Sequence, residues 1–271
     1  MKTRILVAVI GLPLLLAVVL LLPSVGTAIL VAAMCILAVY ELLINSGLAK
    51  HLRIFIYSVV MAMVVAVWSW IGMPRALGML FVVAYLCALF GEMLAAHTEL
   101  KLQTVGYAIF AGLVVPFLLS ALIRLRVMEN GKFYILTAFL LTMIPDTGAY
   151  FAGRFFGKHK LCPVISPNKT IEGAVGGVVL TILFMVGYAI LLQFVFHFRV
   201  NYFYTVLYAI LGAAGSILGD LTFSVIKRQE GIKDYGNLLP GHGGILDRFD
   251  STTVDAPLVE VLLLIIPFAV K

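Results

Sequence analysis

The sequence predicts an all-α integral membrane protein with about nine transmembrane helices. Three observations lead there. Of 271 residues, 63% are hydrophobic and only 12% are charged, against roughly a quarter charged in a soluble domain. The apolar residues gather in segments close to the ~20 residues that a helix needs to cross a bilayer. None of these segments alternates with the period of two expected of a barrel strand, whereas a helix satisfies its own backbone hydrogen bonds in lipid.

Nine segments stand out, at about 5–22, 25–44, 54–72, 76–96, 104–123, 133–152, 174–197, 202–223 and 255–270. Lys2 and Arg4 precede the first, and Gly26-Thr27-Ala28 could serve as a signal-peptide cleavage site. The run 5–22 is long for a signal peptide, so it is read as an uncleaved first span. The ninth is short and is expected to begin a few residues before 255. Residues 1–132 read as an N-terminal transmembrane region. Residues 133–271 read as a transmembrane catalytic region with polar loops at 153–173 and 224–254.

Loop charge sets the expected orientation. With nine spans, most of the 19 lysines and arginines fall on the side that holds Lys2, Lys50, Lys101, Lys169 and Lys227. The positive-inside rule then puts the N-terminus and both polar loops in the cytoplasm and the C-terminus outside. A net charge of +6 suits anionic head groups or a polyanionic substrate. No basic helix and no aromatic-basic interleaving appear, which argues against nucleic acid. Cys35, Cys87 and Cys162 form neither a C-x-x-C pair nor a disulfide framework.

Two pairs of small residues, Gly173 with Gly177 and Gly215 with Gly219, let helix backbones approach closely. Simple packing explains them. In the second pair, close approach could also shape a site beside Asp220.

Three polar clusters interrupt the apolar background. In the first, Asp146 follows Pro145 inside an apolar segment, where an unpaired carboxylate costs several kcal/mol. It is expected either to pair with a base such as Arg154 or to face a substrate or metal. In the second, Ser166-Pro167-Asn168-Lys169-Thr170 reads as an N-cap followed by proline at the first helical position. A helix start of that kind, with Lys169, Lys160, Lys158 and Arg154 nearby, attracts phosphate.

The third cluster runs from Asp220 to Asp250. On a helix Asp220, Ser224 and Lys227 share one face. Gly241, Gly243 and Gly244 permit backbone shapes closed to other residues, and successive amides in such a turn can form an anion-binding nest. Asp247 and Asp250 share a face if the last helix has begun by then. Carboxylates with lysines and arginines between them suit a divalent ion and phosphate, and magnesium takes a few carboxylates plus phosphate oxygens. Zinc is not expected, because His242 has no histidine or cysteine partner at ligand spacing. His242 is as well explained by hydrogen bonding within its turn as by a substrate contact.

The stretch from Ser224 through Lys227-Arg228, Lys233-Asp234 and Pro240-Gly241-His242-Gly243-Gly244 to Asp247-Arg248-Phe249-Asp250 resembles the signature of the phosphatidate cytidylyltransferases, or CDP-diacylglycerol synthases. The resemblance is strong from about Asp146 to Asp250. Upstream it rests on hydrophobicity and helix number. It implies a reaction of CTP with phosphatidate that yields CDP-diacylglycerol and pyrophosphate. It further implies catalytic roles for Asp220, Lys227, Asp247 and Arg248. Substrate contacts would come from Asp146, Ser166, Lys169, Ser224, Arg228, Lys233, His242, Gly243 and Gly244. Asp220 and Asp247, with Asp250, would hold Mg2+ and a second ion if there is one. A homodimer in a bacterial inner membrane, its active site facing the cytoplasm, is implied as well.

Rival readings are fewer. A CTP-dependent lipid-alcohol kinase would release CDP instead of pyrophosphate. A CDP-alcohol phosphotransferase needs an Asp-Gly…Ala-Arg…Gly…Asp…Asp pattern that is absent. A secondary transporter would use Asp146 and Asp220 for coupling ions, but no inverted repeat is evident.

Overall fold

The computed structural model describes residues 2–45, 51–236, 238 and 243–271. His242 and Gly241 lie outside these, so the expectations placed on them are not addressed by the structure. The described chain is overwhelmingly helical and forms two compact units. One comprises Met1–Val127 and Glu230–Arg248, the other Met128–Gln229 and Phe249–Lys271.

The first unit begins with α1 (Lys2–Leu21), α2 (Ser24–Asn45), α3 (Leu52–Ile71) and α4 (Arg75–Ala95). The turn between α3 and α4 follows from local chemistry. Gly72 adopts a left-handed conformation at φ 65°, and its N–H closes on the carbonyl of Trp68. Pro74 then precedes the next helix, since a proline cannot continue the old one. The fourth long stretch is built from α5 (Leu102–Ile109), a π-helical turn (Phe110–Val114), α6 (Val115–Leu119) and α7 (Ala121–Val127). Pro116, which has no N–H to give the helix, lies one residue beyond the wide turn. Ile54, Met61, Val65, Tyr85, Leu89, Val105 and Ala108 pack into one core cluster of this unit. Its polar centre is satisfied internally. Tyr85 donates to the carbonyl of Ala108 at 2.8 Å and lies 2.9 Å from the hydroxyl of Ser58.

In the second unit α8 (Gly131–Phe156) and α9 (Ile171–Phe194) form an antiparallel hairpin. Two short strands, β1 (Lys160–Cys162) and β2 (Ser166–Thr170), pair antiparallel across its tip, Lys160 opposite Thr170 and Cys162 opposite Ser166. Here the structure corrects the sequence reading. Ser166 sits in a strand, and α9 is capped by Thr170, whose hydroxyl accepts from the amide of Gly173 at 3.1 Å. The β-branched threonine is extended at φ −124° and ψ 154°, the usual backbone of an N-cap.

The close approach predicted from glycine spacing is present. A Cβ on Gly177 would lie 2.8 Å from the carbonyl oxygen of Pro145, and one on Gly173 would lie 2.8 Å from that of Ala149. The chain continues through β3 (Arg199–Val200), α10 (Tyr202–Gln229), α11 (Leu246–Phe249), α12 (Thr252–Ile265) and β4 (Ala269–Val270).

Asp247 lies in the single-turn α11, and Asp250 lies in the turn after it, ahead of α12. The two therefore do not share a face of the last helix. That helix ends at Ile265, short of the expected 270. Beyond it Pro267 interrupts the helix, and β4 pairs with β3, Arg199 opposite Val270. Tyr208 and Tyr134 donate to the carbonyls of Ile266 and Ala269.

Among the described residues, seven helical stretches are long and apolar enough to cross a membrane, from Ser24–Leu43 to Tyr202–Gln229. Large apolar side chains such as Leu80 and Leu183 stand exposed along them. That suits a lipid surround better than water. α12 has 14 residues, a rise of roughly 21 Å against a hydrocarbon core of about 30 Å.

Candidate active site

The site grows out of α10. At one helical turn's spacing the hydroxyl of Ser224 donates to Oδ1 of Asp220 at 3.1 Å. Lys227, one turn further, is buried. The predicted shared face is therefore real. Asp220 Oδ2 forms an ion pair with the Nζ of Lys169, brought in at the end of β2. Both partners are about one-quarter exposed, so the pair is partly shielded from water.

Gly219 explains how the site is closed from behind. Its missing side chain lets the chain enter α12 against the middle of α10. A Cβ there would come within 2.8 Å of Ser251 Cα and 3.0 Å of the Asp250 carbonyl. Ser251 then donates to the carbonyl of Ser216 at 3.0 Å. These contacts hold Asp250 at the level of Asp220, roughly 14 Å inside the end of α10.

Asp250 is 9% exposed, and its Oδ1 accepts from the amide of Ser251 at 2.7 Å. Burial, aided by the like charges of Asp220 and Asp146, pushes its carboxyl up to about 7. The Ser251 hydrogen bond and the charge of Lys227 oppose that rise. A buried carboxyl raised by burial and by like charge beside it is a ready host for a cation.

A cleft of about 250 Å³ opens beside this group. Asp146, Tyr150, Asn168, Lys169, Thr170 and Asp220 supply its polar lining, with Pro145, Ala149, Gly173 and Gly177 as apolar wall. Arg154 hydrogen-bonds the hydroxyl of Tyr150 at 2.9 Å. Asp146, Lys169 and Asp220 thus meet in one cleft. Ser166 does not line it, and Arg228 is exposed at the end of α10.

The remaining predicted residues belong to the other unit. Lys233 and Arg248 are exposed there. Gly243 stands at φ 84°, a conformation that glycine adopts freely. Among the described residues around this turn, the protein's own carboxylates take amides that an anion could otherwise use. Asp247 Oδ2 accepts from the amides of Gly244 at 2.9 Å and Tyr235 at 2.8 Å. Glu41 accepts from those of Ile245 and Leu246.

Sequence reasoning missed Glu41, Asp255 and Glu172. Asp255 is fully buried, and neither of its oxygens has a hydrogen-bond partner. Glu172 accepts from the amides of Lys158 and His159 and lies 2.6 Å from Nδ1 of His159, which ties the hairpin at its root. A signal for the first two was present. Each is an acid inside an apolar segment, the criterion that singled out Asp146.

Among the described residues, no group of three or more His, Cys, Asp and Glu is arranged to hold a metal. Magnesium remains compatible, because it is usually held by one or two carboxylates and completes its shell with water and phosphate oxygens. Asp220 and Asp250 would supply that donor set.

Curated relatives include phosphatidate cytidylyltransferases of Staphylococcus haemolyticus (strain JCSC1435), 48% identical over 136 residues, and Staphylococcus aureus (strain COL), 46% identical over 136 residues. Each alignment covers 50% of this chain and 51% of the relative, so the chain spans about half the length of the curated relatives it matches. The family model reaches much further. It describes the Cytidylyltransferase family and matches residues 2–266, from α1 to the end of α12, and on that match the chain belongs to the cytidylyltransferase family.

Proposed function

We propose that the chain is a phosphatidate cytidylyltransferase, in which the phosphate of phosphatidate attacks the α-phosphorus of CTP. A P–O bond forms to the lipid phosphate, the bond to the β-phosphate oxygen breaks, and CDP-diacylglycerol and pyrophosphate result. The observation that carries this reading is the meeting of Lys169, Asp220 and Asp146 in one cleft, with Asp250 and Lys227 buried on the same helical scaffold.

The nucleophile is already an anion, so no general base is required. The work lies in bringing two polyanions together and stabilising charge on the leaving pyrophosphate. Lys227 and Lys169 would neutralise phosphate oxygens. Ser224 would hold the Asp220 carboxylate in its present orientation. Asp220 and Asp250 would hold Mg2+, which when bound supplies charge neutralisation at the phosphates. The ligand role of Asp247, and the phosphate contacts of Arg228, Lys233 and Arg248, rest on the motif. Ser166 is the weakest member, since it lies outside the cleft.

Nine crossings, a cytoplasmic N-terminus, an inner-membrane location and a homodimer belong to the same proposal. A crossing by α12 requires local bilayer thinning, which short spans tolerate at modest cost. The test is an assay with labelled CTP and phosphatidate, with and without magnesium. CDP-diacylglycerol and pyrophosphate are expected, only with the ion. Release of CDP with a phosphorylated lipid would support the kinase reading instead.

A further inference from the structure

We infer that Glu41 is a positioning residue for this reaction, a carboxylate from α2 that anchors the described residues on either side of the glycine-rich stretch, Gly236 before it and Gly244 to Leu246 after it. Glu41 is 3% exposed in an otherwise apolar helix. A carboxylate buried there is tolerable only with strong hydrogen bonds. Consecutive backbone amides supply them. Oε1 accepts from Ile245 at 2.8 Å and Oε2 from Leu246 at 2.9 Å.

Both ends of the loop are shaped to admit this carboxylate. A Cβ on Gly236 would lie 3.0 Å from Glu41 Oε1, and one on Gly244 would lie 2.5 Å from Oε2. No larger residue fits at Gly244 without moving Glu41. Asp247 completes the clamp from within the segment, since its Oδ2 takes the amide of Tyr235 before the loop and that of Gly244 after it. Asp247 therefore ties the loop ends to each other. Glu41, about 200 residues away in sequence, ties them to a helix. Glu41 touches backbone and needs no contact with substrate. It acts through Gly244, Ile245 and Leu246, the residues that lead into Asp247.

This inference rests on the proposed cytidylyltransferase activity for its kinetic readout, but not for its structural one. The experiment uses the full chain in detergent, with Glu41→Gln, Glu41→Asp and a control, Glu92→Gln. Glu92 is another acid on a membrane helix, bonded to Arg53 and Tyr57. Glutamine keeps the shape but puts an amide N–H against a backbone N–H. Hydrogen exchange of a peptide spanning 243–249 should quicken in Glu41→Gln, and KM for CTP should rise by about tenfold with a smaller fall in kcat. Glu41→Asp should lie between Glu41→Gln and wild type, and Glu92→Gln should match wild type in both readouts.

Wild-type exchange and wild-type KM in Glu41→Gln would overturn the inference. So would a fall in kcat alone, which is what loss of folded enzyme gives. If Glu41→Gln does not fold, Glu41→Asp decides, and unchanged exchange and KM there overturn it. A wild-type chain that makes no CDP-diacylglycerol would defeat the proposed function. Exchange would then decide the loop role by itself, faster exchange supporting it and unchanged exchange overturning it.

Discussion

Lys169, at the end of a two-stranded hairpin, forms an ion pair with Asp220, in the interior of the long helix α10. The pair joins the connection between α8 and α9 to α10. Lys169 therefore has two roles to satisfy. It balances a partly buried carboxylate and stands at a cleft proposed to receive phosphate. Lys169→Ala should reduce activity by about 100-fold or more, the usual effect of losing one charge-stabilising donor. Lys169→Arg should recover part of it. Initial rates at saturating CTP, measured on protein shown to be folded by size exclusion, check both.

The corrected helix cap gives a stability prediction. Thr170→Ala removes the hydroxyl that accepts from Gly173 and should cost about 1 kcal/mol. Ser166→Ala, in the strand, should be close to neutral. Thermal melts of the two variants in the same detergent distinguish a cap at 170 from one at 166.

Gly219 makes a stronger demand. A methyl group there meets backbone of Ser251 and Asp250, which cannot yield as a flexible side chain would. Gly219→Ala should destabilise by roughly 1–3 kcal/mol through overpacking and should displace Asp250 from Asp220. The expected result is a lower melting temperature together with weaker magnesium dependence. Gly187→Ala, where open space surrounds the position, serves as the control.

Asp250 predicts a pH dependence with a definite sign. Its carboxyl is raised from 3.8 to about 7, by burial first and then by Asp220. Between those values the folded chain keeps a proton that the unfolded chain has lost. The stability it contributes is full below 3.8, declines as pH rises and is gone above about 7. A divalent ion must displace that proton, so magnesium should stabilise the protein little at pH 5.5 and more as pH approaches 7, with no further gain above. Asp250→Asn should flatten both trends. Melting temperatures at several pH values, with and without Mg2+, test the prediction.

Much of this arrangement could be read from the residues. The shared face of Asp220, Ser224 and Lys227 follows from helical spacing, and the close approaches at Gly173, Gly177, Gly215 and Gly219 follow from small residues four apart. The hairpin at 160–170 could not be read, because Ser166-Pro167 carries the local signature of a capped helix and pairing with Lys160 and Cys162 depends on a turn between them. The end of α12 at Ile265 was hidden for a similar reason, since hydropathy runs on to residue 270 while the chain bends back to pair with β3. The carboxylates on the amides of Gly244, Ile245 and Leu246 were also beyond reach. Glycines at 243 and 244 announce a turn able to bind an anion, but only tertiary structure brings Glu41 to fill part of it.

The most direct test of the central claim is magnesium-dependent formation of CDP-diacylglycerol by Asp220→Asn, compared with wild type in the same membranes. Asparagine keeps the size of the side chain and a hydrogen bond to Ser224, but loses the charge that pairs with Lys169 and would hold the ion. A folded Asp220→Asn protein should lose activity by about 100-fold or more and should not regain it with excess magnesium. Full activity in the folded variant would contradict the account.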